Sequence, residues 1–76
     1  MITYYKLFDL INRRNINKTE LREGANISNG TMNKLTHNQN VEISSIERIC
    51  EFLKVQPGDI MEYEFIQTNK KKTSSK

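Results

Sequence analysis

Seventy-six residues, 36% of them hydrophobic and 28% charged, make one small domain with an economical core. Such a chain buries only roughly 60% of the surface its unfolded form exposes, and Cys50, the sole cysteine, can form no intrachain disulfide. Apolar runs never exceed two residues, which excludes a membrane-spanning helix, and one His, no Trp and no Gly-rich loop argue against a catalytic domain. The net charge of +3 is unevenly spread: residues 1–41 carry +3, residues 42–66 carry −4 and residues 67–76 carry +4. The N-terminal half therefore suits a polyanion, while the acidic segment is employed otherwise. A lone thiol and no secretory leader point to a reducing, cytoplasmic setting.

In chain order, Thr3 is placed to cap a first helix over about Tyr4 to Arg14, whose apolar positions Tyr4, Leu7, Leu10 and Ile11 have helical spacing. Asn15 suits the left-handed position after it. Asn17 with Glu20 three residues on forms a capping box for a second helix over Lys18 to Ala25, stopped by Asn26. Ser28 caps a third helix over Asn29 to Thr36, with Met32 and Leu35 as its buried pair. His37 to Asn40 is a polar loop. A fourth helix over Ile43 to Leu53 carries the stripe Ile46, Ile49, Cys50, Leu53, which makes Cys50 a small buried hydrophobe. Gln56-Pro57-Gly58-Asp59 is a turn into a short fifth helix with Pro57 at its first position. Met61, Tyr63 and Phe65 then alternate with acids at strand periodicity, and the strand-prone Met1 to Tyr4 gives them a partner at the other end. The domain is thus expected over residues 1–66, with 67–76 a disordered basic tail.

The segment Asn17 to Leu35 carries the functional signal. Two short helices joined by Asn26-Ile27-Ser28 have the arithmetic of a helix-turn-helix, with Leu21, Ala25, Ile27, Met32 and Leu35 as one inward cluster. The rest of the third helix includes Asn29, Gly30, Thr31, Asn33 and Lys34. Asn, Gly and Thr are poor helix formers, so a face made of them needs a reason beyond solubility. Reading base edges is one: Asn pairs bidentately with adenine, Lys bonds guanine, and a Thr methyl meets the thymine methyl. A bland polar surface in a chain with nine Asn is the competing account.

With those residues in view, the chain resembles the lambda-repressor/Cro-like (XRE-type) helix-turn-helix regulators. The resemblance is carried by Asn17-Lys18-Thr19-Glu20-Leu21, Asn26-Ile27-Ser28, Met32-Asn33-Lys34-Leu35, the stretch Ile46 to Leu53, and Val55 to Ile60. It implies an all-α, five-helix DNA-binding domain with the helix-turn-helix at helices 2–3. The third helix would enter the major groove of double-stranded DNA, with Asn29, Gly30, Asn33 and Lys34 at base-reading positions. Lys18 would meet a phosphate, as would the loop around His37, Asn38 and Asn40; Thr19, Ser28 and Thr31 complete the DNA-facing set.

The chain departs from the family pattern in three places. Ile11 and Thr36 stand where many members have an Arg–Glu ion pair, Arg22 stands where a small Ala is usual, and Asn26 replaces the Gly of the turn. An apolar substitute for a buried pair can be neutral or stabilising. The stem of Arg22 is expected to snorkel past the helix crossing.

Tyr63, Phe65 and Ile66 extend beyond the bundle and are expected to join two copies as a homodimer, unless they fold back onto Tyr4, Tyr5 and Phe8. The reading is a transcriptional regulator, a repressor on a palindromic operator. Its rival is an antitoxin or adaptor that keeps the fold but binds protein. No catalytic residue, cofactor, metal or small-molecule ligand is expected, since one His and one Cys assemble neither a nucleophile–base pair nor a metal set.

Overall fold

The computed structural model describes residues 1–65; Ile66 and the basic stretch 67–76 lie outside the described residues. In chain order there follow β1 (Ile2–Thr3), α1 (Tyr5–Arg13), α2 (Lys18–Ala25), α3 (Asn29–Thr36), α4 (Ile43–Leu53), a 3₁₀ turn (Pro57–Asp59) and β2 (Glu62–Tyr63). The described residues thus form four α-helices, not five. Pro57 does open the final turn, but Ile60 must enter the core fully buried and Glu62 must already pair with Thr3. Only the single turn Pro57–Asp59 fits between them.

The helices are 8 to 11 residues long, too short to be stable alone. Their apolar faces close one core. Leu7 and Ile11 of α1 meet Leu21 and Ala25 of α2, Met32 and Leu35 of α3, and Ile46, Ile49 and Leu53 of α4, with Tyr4, Ile27 and Ile60 from the connections. Cys50 is half-buried at the edge of this core, because the stripe of α4 turns past it toward Leu53. Burial, and then the negative charge of Asp59, push its thiol pKa up.

Every helix ends in the same way. Asn15, Asn26, Asn38 and Lys54 take left-handed φ values of 59°, 58°, 55° and 59°. The next residue's N–H then reaches back to a carbonyl five residues earlier: Ile16 to Ile11, Ile27 to Arg22, Gln39 to Lys34 and Val55 to Cys50, at 2.8–3.1 Å. These are Schellman closures, in which an apolar residue at the donor position packs back on the helix. Ile16, Ile27 and Val55 follow that rule; Gln39 breaks it.

The expected pairing of the chain ends is present. β1 and β2 are antiparallel, with Ile2 opposite Tyr63 and Thr3 opposite Glu62. Met1 and Glu64 extend the ribbon by two backbone bonds of 2.7 and 2.8 Å. Lys6 fastens the ribbon to α1, its Nζ standing 3.4 Å from Glu62 and donating to the Gly58 carbonyl at 3.1 Å. Thr3, placed above as the cap of α1, instead lies in β1 with its side chain buried. Tyr4 is the capping residue and offers no side-chain bond to the helix.

The close approach of α2 to α4 falls at Gly24, where a Cβ would stand 2.3 Å from the Phe52 ring. Arg22 is half-buried, its guanidinium 3.5 Å from Glu23.

The buried Thr3 hydroxyl finds no hydrogen-bond partner among the described residues. Thr3→Val keeps the shape, removes that unmet demand and favours the strand. It should raise stability by about 1 kcal/mol, measured as the urea midpoint at unchanged slope.

Candidate nucleic-acid interface

The helix-turn-helix is built by local bonds that the sequence spells out. The Asn17 side chain accepts the Glu20 N–H at 2.7 Å, while the Glu20 carboxylate accepts the Asn17 N–H at 2.9 Å, so two orphan donors of α2 are met reciprocally. Asn26 then turns the chain through the left-handed region at a position where a Cβ is costly for most residues. Ser28 Oγ accepts the Thr31 N–H at 3.1 Å and its hydroxyl donates to Thr31 Oγ1 at 3.1 Å. From α4, Arg48 donates to the Asn26 carbonyl at 3.3 Å and braces the turn from outside.

This frame leaves one face of α3 open. Asn29, Gly30, Asn33 and Lys34 are all exposed. The side chains of Asn29, Asn33 and Lys34 make no hydrogen bond or ion pair among the described residues. No acidic side chain interrupts α3, whereas Glu42, Glu47, Glu51, Asp59, Glu62 and Glu64 run from the N-cap of α4 onward. A Cβ at Gly30 would meet only Ser28 Oγ, at 3.7 Å, so nothing in the packing demands glycine there. Ser28 and Thr31, by contrast, are occupied with each other at the helix start.

Around this face the remaining candidates fall into different roles. Lys18 and Thr19 are exposed in the first turn of α2, and the Lys18 ammonium sits 5.2 Å over the Phe8 ring, which holds it against α1. His37 follows α3, its Nδ1 standing 2.9 Å from the Asn33 carbonyl. A carbonyl only accepts, so Nδ1 carries the proton. Asn40 is exposed in the loop.

Asn38 is half-buried and its carboxamide is engaged: Oδ1 accepts the Tyr4 N–H at 3.0 Å and Nδ2 donates to the Tyr5 hydroxyl at 3.1 Å. Tyr4 in turn donates its hydroxyl to the Gln39 carbonyl at 3.0 Å. The sequence reading missed this link. Its signal was Asn38 itself, a left-handed candidate of the same type as Asn15 and Asn26.

The positions of the usual Arg–Glu pair behave as their residue types dictate. Ile11 is buried in the core, and Thr36 returns its hydroxyl to the Met32 carbonyl at 3.0 Å. Arg14, rather than position 11, reaches across from α1 and donates to the Leu53 carbonyl at 2.7 Å.

Tyr63 and Phe65 are exposed, with rings edge to face at 4.8 Å. They do not fold back onto the core, and Ile66 lies outside the described residues. No described helix is long and apolar enough to cross a membrane.

A short capped helix, a left-handed turn and a second helix with an open polar face define a helix-turn-helix DNA-binding domain. Residues 6–65 match the family model of the Cro/C1-type HTH DNA-binding domain, and the chain belongs to that family. It is 34% identical over 56 residues to the uncharacterised HTH-type transcriptional regulator YozG of Bacillus subtilis strain 168, covering 71% of this chain and 67% of YozG. The crystal structure of the transcriptional regulator VanUg, form II, superposes with a TM-score of 0.78 at 41% identity, over 80% of this chain and 81% of that one. The protein is accordingly a DNA-binding transcriptional regulator of the XRE type.

Because Ser28 alone supplies the side-chain cap of α3, Ser28→Ala should cost about 1 kcal/mol and Ser28→Gly only a few tenths. Denaturation midpoints of the two variants, with amide exchange in the first turn of α3, check the difference.

Proposed function

We propose that the protein is a sequence-specific repressor that binds a palindromic operator as a homodimer, with α3 in the major groove of each half-site. The observation that carries this reading is the outer face of α3. Asn29, Asn33 and Lys34 are exposed and have no side-chain partner among the described residues, on a helix whose other side is locked into the core. Unengaged Asn and Lys side chains are the groups that pair with adenine and guanine edges. Gly30 allows close approach to the groove floor. Lys18, Thr19, His37 and Asn40 flank this face and supply phosphate contacts that hold its register, with Ser28 and Thr31 shaping the first turn. Repression follows by occupancy of promoter DNA.

The dimer is supported by Tyr63 and Phe65, an exposed aromatic pair on the ribbon, continued in sequence by Ile66. Two copies joined there bring two α3 helices onto one duplex, so half-sites should repeat at roughly 10 bp.

Selection of random duplexes by the purified protein at about 150 mM salt suppresses nonspecific binding and should enrich such a palindrome. Absence of any enriched motif from folded protein would move the reading to a protein-binding adaptor using the same aromatic ribbon.

Two substitutions separate base reading from phosphate grip. Asn33→Ala should cost about 1–3 kcal/mol on the selected site and relax its specificity. Lys18→Ala should weaken all duplexes alike and lower the salt slope by about one. Equal losses from both on selected and scrambled DNA would remove Asn33 from the reading set.

For the dimer, sedimentation at micromolar concentration should show about twice the 8.9 kDa chain mass. Phe65→Ala should return the monomer. A wild-type protein that stays monomeric with and without DNA rules the dimer out.

A further inference from the structure

At three of the four Schellman closures an apolar side chain at the donor position packs the turn down: Ile16, Ile27 and Val55. The fourth closure follows α3, the helix read above as the DNA-reading helix, and its donor is exposed Gln39. By the local rule alone this turn would be the loosest of the four. Yet it is held by three bonds reaching 33 to 35 residues back along the chain. Asn38 Oδ1 accepts the Tyr4 N–H at 3.0 Å, Asn38 Nδ2 donates to the Tyr5 hydroxyl at 3.1 Å, and the Tyr4 hydroxyl donates to the Gln39 carbonyl at 3.0 Å. Tyr4 is 3% exposed, so its ring is fixed by the core while its hydroxyl reaches the loop.

We infer that Tyr4 and Asn38 form a clasp that positions α3 for DNA reading, replacing at this one turn the apolar anchor the other three possess. Asn38 is then a positioning residue whose carboxamide acts through α3, and it makes no phosphate contact of its own. Two features favour this role. The Asn38 carboxamide bonds α1 and its entry on both sides, through acceptor and donor at once, which leaves little free for DNA. The bonds converge on the two residues immediately after the α3 C-cap, His37. The inference rests on the reading of α3 as the DNA-reading helix.

The test is Asn38→Gly in the full chain, since glycine keeps the left-handed backbone and deletes only the carboxamide. In the free protein, amide exchange at Tyr4 and Gln39 should accelerate. On the duplex selected by the wild type, affinity should fall about tenfold, as expected when a partly buried N–H loses its partner and the helix is no longer held. Affinity for a scrambled duplex and the salt slope should stay at the wild-type values.

A different pattern overturns the proposal. Equal losses on both duplexes make Asn38 a sequence-independent backbone contact, since a neutral carboxamide on a phosphate leaves the salt slope unchanged. Unchanged affinity for the selected duplex removes the positioning role. Should Asn38→Gly fail to fold, Tyr4→Phe deletes only the hydroxyl over Gln39. It should give the same pattern at about threefold, and an unchanged ratio between the duplexes overturns the clasp. A wild-type protein that selects no sequence defeats the DNA reading and this role with it. Normal selection with unaltered exchange at Gln39 in Asn38→Gly defeats the clasp alone.

Discussion

Four left-handed residues hold this protein's architecture together. A helix of 8 to 11 residues has no independent stability, so each one exists only while its apolar stripe is covered by the others. Covering four such stripes within 65 residues requires the chain to reverse sharply at every helix end. Asn15, Asn26, Asn38 and Lys54 supply those reversals, each followed by a backbone bond spanning five residues. None of the four is glycine. Asparagine tolerates the left-handed region better than other side chains, and three of the nine asparagines are accounted for in this way. The asparagine richness that makes a polar surface look unremarkable is therefore partly conformational. This sharpens the meaning of Asn29 and Asn33, which have no such duty.

The division of α3 into two faces links folding to function. Met32 and Leu35 are held in the core, Ser28 and Thr31 close the first turn, and the Asn29, Asn33 and Lys34 side chains face outward with no partner among the described residues. Helix propensity is sacrificed on that outer face, since Asn and Gly are poor formers. Packing on the inner face, the Ser28 cap and the Arg48 brace offset the loss. A surface carrying such a propensity cost is consistent with the side chains serving a ligand rather than the helix.

Much of this was readable from residue order. The capping box of Asn17 and Glu20, the Ser28 cap and the turns at left-handed Asn15 and Asn26 are interactions between residues at most five apart, so spacing alone reveals them. The core stripes of α2, α3 and α4 follow from apolar periodicity in the same way. The readings that failed involve competition between distant segments. Thr3 has the chemistry of a cap, but pairing with Glu62 draws it into a strand. Pro57 has the chemistry of a helix start, but the burial of Ile60 ends that helix after one turn. Cys50 belongs to an apolar stripe by spacing, yet lies at its margin once α4 docks.

Residue types and their spacing were enough to establish a helix-turn-helix with a polar outer face, because every device that builds it is local. Long-range bonds were beyond that reach. The link from Asn38 to Tyr4 and Tyr5, the Arg14 bond to Leu53 and the Arg48 bond to Asn26 join residues separated by 22 to 39 positions. No periodicity encodes such a bond. Each forms only after core packing has set the helices at one distance and angle, which brings a donor and an acceptor within 3 to 3.3 Å or closer. The open polar face of α3 is thus written in sequence, while its orientation on the domain is a consequence of packing.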